Sequence, residues 1–181
     1  AMMGVHYISH QAALGSVPRS IDQPLASHDH NVNGTVNILC AAVNANIPRV
    51  VMASSSSVYG TEETLPKIEH RTGKLLSPYA ATKIGADQLA LSFWRSFSTP
   101  VTVLRPFNTY GPRQSNRAII PTIITQLMSD SSRIRLGSTY PTRDFSYILD
   151  TVRGFECAIN NSRAIGEIVN IGSGYEISIS D

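Results

Sequence analysis

The sequence of 181 residues has no apolar run long enough to cross a membrane, and it contains only two cysteines. Cys40 and Cys157 lie in apolar stretches without the spacing of metal ligands, so we expect buried free thiols and no metal site. The chain does not open with a basic segment followed by an apolar one. From these absences we expect a cytoplasmic protein without a membrane partner.

An excess of charge of one sign is also missing. The 15 Lys and Arg residues nearly balance the 13 Asp and Glu residues, and the net charge is +2. The basic residues are scattered along the chain, which argues against nucleic acid as a partner. Most of them are Arg, whose planar guanidinium suits phosphate groups, so an anionic ligand is compatible with this composition. For Arg105, Arg113, Arg117 and Arg143, the alternative is a solvated charge or a surface ion pair.

The glycine pattern of nucleotide-binding proteins does not occur in the sequence. A doubly wound nucleotide-binding fold normally carries G-x-G-x-x-G, or the related G-x-x-G-x-x-G, at its first strand–helix turn. The chain begins almost directly with a predicted strand, and residues 178–181 are typical of a helix start with no helix after it. We therefore expect a fragment of a longer protein.

Short β-branched runs alternate with longer stretches of helical periodicity. We predict strands at residues 5–10, 50–54, 101–105, 133–136 and 168–171, helices at 31–46, 78–97, 120–128 and 150–160, and an extended segment at 144–148. Alternating strands and helices are typical of a parallel sheet with crossover helices. The pattern therefore predicts an α/β fold with part of a doubly wound, Rossmann-like parallel sheet and part of a smaller substrate-binding region.

A candidate site for chemistry lies at the start of the second predicted helix. Ser77 and Pro78 are typical of a helix N-cap and first position, and they place Tyr79 and Lys83 four residues apart on one helix face. A cation near a phenol lowers its pKa, so Tyr79 can exchange protons while hydride moves to a nicotinamide. The alternative is an ordinary exposed Lys beside a half-buried Tyr. Ser55 favours the first interpretation, because it follows a predicted strand at the edge where open α/β sheets bind ligands.

Seven short motifs follow one another along nearly the whole chain. They are residues 10–13 (HQAA), 31–35 (NVNGT), 54–60 (SSSSVYG), 77–83 (SPYAATK), 105–108 (RPFN), 110–113 (YGPR) and 142–145 (TRDF). In this order they resemble the extended short-chain dehydrogenase/reductase family, in its branch of nucleotide-sugar epimerases and dehydratases. The resemblance implies NAD as cofactor, a UDP-sugar or other nucleotide sugar as substrate, and a homodimer of full-length chains. It also implies a partial NAD-binding domain with the catalytic residues at 1–114, and an interleaved partial substrate-binding region at 115–181.

The resemblance also assigns roles to individual residues. Ser55 would hydrogen-bond the reacting sugar hydroxyl, Tyr79 would be the acid and base, and Lys83 would hold the nicotinamide ribose and tune Tyr79. The implied cofactor contacts are Tyr79, Lys83, the backbone of Gln11, Ala12, Ala13 and Leu14, and the ring of Phe107. The implied substrate contacts are Ser16, Ser55, Ser56, Asn108 and Arg143, the last two on the diphosphate. His30 is a further candidate cofactor contact, although we favour an exposed histidine at a helix start.

The residues after Ser55 bear on the choice of reaction. Dehydratases of this family carry an acidic residue, typically Glu, two positions after the catalytic Ser or Thr, and often Asp between them. These acids remove the C5 proton and help to expel the C6 hydroxyl. Here the two positions are Ser56 and Ser57, and the nearest acids, Glu62 and Glu63, lie beyond the following turn. We therefore expect 4-epimerisation of a UDP-hexose, UDP-N-acetylhexosamine or UDP-uronate by C4 oxidation and re-reduction.

Other segments leave alternatives open. Residues 15–20 resemble the substrate loop of 4-epimerases that act on UDP-N-acetylhexosamines. By contrast, residues 107–115 and 119–122 resemble dehydratases that make precursors of nonulosonic acids. The alternatives are therefore a nucleotide-sugar 4,6-dehydratase, an inactive fragment of either enzyme, and a reductase of a sugar or another carbonyl compound.

Overall fold

A central parallel sheet organises the chain, of which the computed structural model describes residues 2, 4–129 and 133–181. The strands are β1 (Ile8–His10), β2 (Val50–Ala53), β3 (Val101–Pro106), β4 (Asn108–Tyr110), β5 (Thr142–Arg143), β6 (Phe145–Tyr147), β7 (Ile168–Ile171) and β8 (Ile177–Ser178). The helices are α1 (Val17–Asp22), α2 (Pro24–His28), α3 (Gly34–Asn44), α4 (Pro78–Phe97), α5 (Ile119–Met128) and α6 (Ile148–Asn160). The main sheet has the order β1-β2-β3-β7 with all neighbours parallel. The expected α/β fold with a parallel, Rossmann-like sheet is confirmed.

Helices cover both faces of the main sheet, which explains why its strands are continuous apolar runs in the sequence. Successive side chains of a strand point to opposite faces. Val50 of β2 belongs to a core cluster with Leu39 of α3 and Ala90 of α4, whereas Val51 clusters with Phe155 of α6. Helices α3 and α4 therefore lie on one face of the sheet and α6 lies on the other.

The first strand is shorter than predicted. Strand β1 has three residues instead of the six expected at 5–10. Its partner β2 begins only at Val50, and the Ile8 N–H donates to the carbonyl of Arg49 at the very start of that pairing. Residues 5–7 extend beyond the end of β2, so they have no ladder to join on that side and remain exposed.

The strand predicted at residues 133–136 does not form. The side-chain amide of Gln126 in α5 donates to the carbonyl of Arg135 at 2.9 Å and accepts from its N–H at 2.7 Å. A glutamine side chain thus takes both hydrogen bonds that a neighbouring strand would supply at this position. The prediction is wrong because the β-branched pattern could not show which partner the backbone would find.

The first predicted helix begins earlier than expected. Helix α2 starts at Pro24, whose fixed φ suits a first helical position, and it continues through a π-helical turn at Asp29–Asn33 into α3. The Gly34 N–H donates to the Asp29 carbonyl five residues before it, as such a turn requires. His30 is exposed as expected, but it lies inside a helical stretch and not at a helix start.

Several short elements outside the main sheet were not predicted. Strand β4 pairs with β6 in parallel, and β5 pairs with β8 in antiparallel orientation. The extended segment expected at residues 144–148 corresponds to β6, and α6 begins directly after it, at Ile148. Among the described residues, no helix combines the length and apolar character needed to cross a membrane.

Both cysteines are free thiols, but they are exposed, so the prediction of burial is wrong. Cys40 and Cys157 lie on helices α3 and α6, each of which has one face towards the sheet. Those faces are occupied by other side chains, for example Leu39 and Phe155, which are 1% and 8% exposed. The apolar sequence around each cysteine therefore indicated the helix correctly but not the face.

Gly166→Ala is expected to destabilise the protein. Gly166 has a φ of +79°, and a Cβ at this position would lie 2.3 Å from Nε1 of Trp94. An L-residue in the left-handed region costs about 1–2 kcal/mol, and displacement of the Trp94 indole adds to that cost. The midpoint of urea-induced unfolding should fall accordingly.

Gly85→Ala is the matched control for this substitution. Gly85 lies inside α4, its φ is outside the left-handed region, and nothing lies within 4 Å of the position that an alanine Cβ would take. Its free energy of unfolding should rise by roughly 0.5–1 kcal/mol, because alanine loses less backbone entropy in a helix than glycine does. Equal effects of the two substitutions would contradict the close packing of Gly166 against Trp94.

Candidate active site

Three segments meet at the carboxyl ends of the parallel strands. Residues 11–16 follow β1, residues 54–60 follow β2, and Phe107 follows β3. Helix α4 contacts α1, α2, α3 and β3 and brings its first turns to the same edge. Open α/β sheets bind ligands at this edge, so we consider it the candidate site.

Ser77 and Pro78 start helix α4 as predicted. Oγ of Ser77 accepts a hydrogen bond from the N–H of Ala80 at 3.1 Å, and Pro78 occupies the first helical position. With the helix fixed at this point, Lys83 reaches the end of β2. Its side chain is 6% exposed, and Nζ donates to the carbonyl oxygen of Ala53 at 2.9 Å.

The fold brings Ser55 and Tyr79 together. Burial raises the pKa of the Tyr79 phenol above its ordinary value, and a hydrogen bond with Ser55 opposes this effect in part. The direction is opposite to the lowering expected from the sequence, because desolvation of a phenolate outweighs the one hydrogen bond. The hydroxyl of Ser55 has a second neighbour, Ser57, which donates to it through Oγ at 3.0 Å and through its backbone N–H at 3.2 Å.

Lys83 shares its helix face with a buried acid, Asp87. Burial lowers the pKa of Lys83, and the charge of Asp87 opposes that lowering. Asp87 is itself 0% exposed, and its Oδ2 accepts hydrogen bonds from Nε and Nη2 of Arg105 at 3.1 and 3.0 Å. Arg105 is 1% exposed, so a solvated charge or surface ion pair is the wrong interpretation for this arginine.

Residues 11–14, which follow β1, form a partly exposed segment that we call the shelf. Gln11 and Ala12 are exposed, and Ala13 is half-buried. The backbone of Leu14, at the end of the shelf, is hydrogen-bonded to the side chain of Asn31. Its N–H donates to Oδ1 of Asn31 at 2.7 Å, and its carbonyl accepts from Nδ2 at 3.4 Å. The backbone of Leu14 is thus engaged within the chain, which leaves its side chain as the group available to a ligand.

Asn31 connects this shelf to helix α4. It is 2% exposed, and besides its two bonds to Leu14, its Nδ2 donates to Oγ1 of Thr82 at 3.0 Å. The Thr82 hydroxyl in turn donates to the carbonyl of Tyr79 at 2.8 Å. The first turn of α4 and the end of the β1 segment therefore keep a fixed relative position.

Phe107 lies between the ends of β3 and β7. Its N–H donates to the carbonyl of Ile171 at 2.9 Å, and its half-buried ring stacks on Tyr59 with the centroids 6.1 Å apart. A Cβ on Gly172 would come within 3.3 Å of the Phe107 ring. The ring is therefore confined on two sides near the edge of the sheet.

Asp144 organises the two predicted diphosphate contacts, Asn108 and Arg143. The Asn108 N–H donates to the Asp144 carbonyl at 3.0 Å, and Arg143 directly precedes Asp144. The Asp144 carboxylate accepts from the N–H groups of Ser173 and Gly174, both at 2.9 Å. The side chains of Asn108 and Arg143 remain exposed, as groups that contact a ligand require.

Three predicted contacts form no hydrogen bond with Ser55, Tyr79 or Lys83 in the part of the chain that the structure describes. Ser16 caps helix α1, with Oγ accepting from the N–H of Arg19 at 3.3 Å. His30 is exposed in the π-helical turn, and Ser56 is half-buried in the turn after Ser55. Their roles in binding stay predictions.

The comparison with known protein families decides the assignment. The model of the family described as "NAD dependent epimerase/dehydratase family" matches residues 1–172. The chain belongs to this family. The match includes the segments after β1, β2 and β3 and the first turns of α4, and it ends at Gly172, directly after β7.

Members of this family that resemble the chain include both epimerases and dehydratases. The dTDP-glucose 4,6-dehydratase of Streptomyces griseus is 36% identical over 178 residues, which cover 98% of this chain and 54% of that protein. The UDP-glucuronate 4-epimerase of Thermodesulfobacterium geofontis is 32% identical over 168 residues, which cover 92% of this chain and 51% of that protein. The chain thus spans about half the length of these relatives.

Solved structures agree with the family assignment. The UDP-glucuronic acid 4-epimerase of Bacillus cereus, in complex with UDP-glucuronic acid and NAD, matches with a TM-score of 0.92 at 31% identity. The match covers 99% of this chain and 58% of that one. The parallel sheet and its helices are therefore the arrangement found in a family member with its cofactor bound.

The cofactor of the family is NAD, and the residues at the sheet edge fit this molecule. The small side chains of Ala12 and Ala13 let a flat ligand approach the shelf, and no hydrogen bond within the described residues occupies their backbone groups. Lys83 has further N–H donors beyond its bond to Ala53. These residues would hold the nicotinamide end of NAD, while the sequence carries no glycine-rich loop for its pyrophosphate.

From the sequence, no role in the site was assigned to three residues: Asn31, Ser57 and Asp87. Asp87 follows Tyr79 by eight residues, so helical spacing alone places it on the same face, and this signal could have found it. The hydrogen bonds of Asn31 join residues 17 and 51 positions apart, and no local pattern reports such contacts. For Ser57, the sequence shows the lack of a carboxylate but not the bond to Ser55.

Asn31→Asp is expected to weaken the binding of NAD to the full-length protein. The carboxylate cannot donate to Leu14 or Thr82, and it places a charge at a site that is 2% exposed. An unsatisfied buried partner costs about 1–3 kcal/mol, which corresponds to roughly a tenfold to hundredfold loss of affinity by calorimetry. Asn37→Asp is the control, because Asn37 is exposed on α3. Equal affinities of the two variants would show that Asn31 does not support the shelf.

Proposed function

We propose that this chain carries the catalytic half of a NAD-dependent nucleotide-sugar 4-epimerase. The observation that carries the proposal is the Tyr79 site, by which we mean Ser55, Tyr79 and Lys83 at the carboxyl edge of the sheet. The hydroxyl of Ser55 opposes the rise of the Tyr79 pKa, and Lys83 is buried one helical turn further along α4. The substrate would be a UDP-hexose, a UDP-N-acetylhexosamine or a UDP-uronate, in keeping with relatives such as the UDP-glucuronate 4-epimerase.

In the proposed reaction, Tyr79 removes the proton of the sugar C4 hydroxyl while Ser55 hydrogen-bonds that hydroxyl. When bound, NAD would accept the C4 hydride, and its positive charge would favour the phenolate. Because burial raises the pKa of Tyr79, positive charge from Lys83 is needed to favour the phenolate. The 4-keto sugar then rotates in the site. The hydride returns to the opposite face of C4, and Tyr79 returns the proton to the C4 oxygen.

The placement of the acids supports epimerisation over elimination. Elimination needs a carboxyl group beside Ser55, and the hydroxyl of Ser57 holds the place at which dehydratases carry one. The nearest acid in sequence, Glu62, accepts from the N–H of Thr64 at 2.9 Å within its own turn. Asp87 is engaged by Arg105.

The remaining assignments are part of the same proposal. We assign residues 1–114 to a partial NAD-binding domain, in which Gln11, Ala12, Ala13, Leu14, His30 and Phe107 contact the cofactor. We assign residues 115–181 to a partial, interleaved substrate-binding region. Ser16, Ser56, Asn108 and Arg143 would contact the substrate, and the exposed side chains of the last two support this. We further propose a cytoplasmic homodimer of full-length chains.

A nucleotide-sugar 4,6-dehydratase is the second candidate function. The Streptomyces griseus dehydratase is more similar in sequence, at 36% identity, than the epimerase at 32%, which favours this alternative. Product analysis separates the two reactions. The proposal predicts that the full-length protein interconverts a UDP-sugar and its C4 epimer with no net consumption of NAD. A stable 4-keto-6-deoxy product would replace it with the dehydratase.

Tyr79→Phe is expected to reduce kcat of the full-length protein by a factor on the order of 100 to 10,000, with the affinity for the UDP-sugar largely kept. The substitution removes the proton-transferring hydroxyl and little of the contact area. Tyr7→Phe is the matched control, because Tyr7 is 58% exposed and precedes β1, at the opposite edge of the sheet. Steady-state turnover and substrate binding are the two measurements. Turnover of the Tyr79 variant within a factor of a few of the wild type would refute its role as acid and base.

A further inference from the structure

Asp87 is a fully buried carboxylate on the same helix as Tyr79. Both of its hydrogen bonds from Arg105 go to Oδ2, whereas Oδ1 has no hydrogen-bond partner among the residues that the structure describes. A charged side chain is rarely buried completely unless another charge accompanies it. The steps proposed for Ser55, Tyr79 and Lys83 do not involve Asp87, so its burial calls for a separate explanation.

The position of Asp87 relates it to Lys83 as well as to Arg105. Tyr79, Lys83 and Asp87 follow one another at intervals of four residues, so they lie on one face of α4. The hydrogen bond that Lys83 donates goes to a neutral carbonyl, that of Ala53. A buried ammonium group with only neutral neighbours tends to lose its proton. Asp87 supplies the negative charge that opposes this loss.

Arg105 holds the carboxylate of Asp87 in place. Besides its two bonds to Asp87, the guanidinium donates through Nη1 to the carbonyl of Glu69 at 2.8 Å. It also lies over the ring of Tyr59, with its central carbon 5.2 Å from the ring centroid. These contacts come from the segment between β2 and α4, so Arg105 is fixed from two directions and cannot turn towards a substrate phosphate.

Among the residues that the structure describes, the other titratable groups around Lys83 do not supply negative charge. His10 of β1 is buried, and its pKa is lowered by burial and by the charge of Lys83, so it stays neutral near working pH. Tyr79 on α4 has a raised pKa and is a neutral phenol in the same range. Arg105 on β3 adds a second positive charge, which Asp87 balances directly.

We propose that Asp87 is a positioning residue for the Tyr79 site: its carboxylate, fixed by Arg105, is shared with Lys83 and keeps the Lys83 side chain cationic beside Tyr79. The carboxylate of Asp87 thus interacts with two cations: it forms an ion pair with Arg105, and it acts on Lys83 over a longer distance. The inference deepens the proposed function and rests on it only for the effect on turnover. The charge state of Lys83 can be tested independently of any reaction.

The direct test is a titration of Lys83 by NMR of isotope-labelled lysine side chains in the full-length protein. Its signal is assigned by comparison with Lys83→Arg. In Asp87→Asn, the pKa of Lys83 should fall by about one unit or more, because the nearby opposite charge has been removed. Glu156→Gln is the control, because Glu156 is exposed on α6, across the sheet from α4. This variant should titrate like the wild type.

The pH dependence of kcat gives the second readout. Turnover requires charged Lys83, so its basic limb should move to lower pH in Asp87→Asn. The acid limb should also move to lower pH, because Asp87 raises the pKa of Tyr79 in the wild type. A residue that only stabilised the fold would lower the amount of active protein without moving either limb.

A third variant covers the case in which Asp87→Asn does not fold, since that substitution leaves Arg105 buried without a counter-ion. The double variant Asp87→Asn, Arg105→Gln removes both charges and should still show a lowered pKa of Lys83, by less than the single variant because the positive charge of Arg105 is removed as well. An unchanged Lys83 titration in the folded variants would overturn the inference. If the wild type turns over no nucleotide sugar, the proposed function fails, and the Lys83 titration still decides the role of Asp87.

Discussion

The buried ion pair between Asp87 and Arg105 fixes helix α4 against strand β3, and the rest of the candidate site depends on this attachment. Two charges removed from water must remain paired, so a shift of the helix by one turn would leave both uncompensated. Only in the observed register does Lys83 reach the end of β2 and Tyr79 meet Ser55. The ion pair therefore specifies the position of the reactive groups as well as contributing to the fold.

Burial of Tyr79 and Lys83 shifts the pKa of both side chains. A phenol and an ammonium group that are withdrawn from water both favour their neutral forms, which is the opposite of what the proposed proton abstraction by Tyr79 requires. At Tyr79 the hydroxyl of Ser55, which accepts from Ser57, opposes this effect, and at Lys83 the carboxylate of Asp87 opposes it, although the same carboxylate adds to it at Tyr79. The positive ring of a bound NAD would also favour the phenolate.

The sequence predicted those parts of the fold that depend on local patterns. The Ser77-Pro78 start placed α4 and its Tyr79 and Lys83 correctly, and the β-branched runs located three strands of the main sheet and, less exactly, the fourth, β1. The family resemblance then supplied NAD and the class of reaction, which composition and spacing could not. Those conclusions required only the order of residues along the chain.

The errors concern contacts that no local sequence pattern shows. No pattern near residue 135 shows that the amide of Gln126 will occupy its backbone groups, and none near Asn31 shows the bond to Thr82. The direction of the Tyr79 pKa depends on how deeply the phenol is buried, which is a property of the packed structure. For the same reason, Arg105 could not be recognised as a buried ion-pair partner.

In the proposed reaction, a hydride moves from C4 of a nucleotide sugar to NAD and back to the same carbon at the Tyr79 site. A UDP-sugar carrying deuterium at C4 tests this claim directly, with the position of the label in the product read by NMR. Epimerisation at this site should leave deuterium at C4 of the epimerised sugar. Deuterium at C6 of a 4-keto-6-deoxy sugar would show elimination instead, and loss of the label to solvent would contradict hydride transfer altogether.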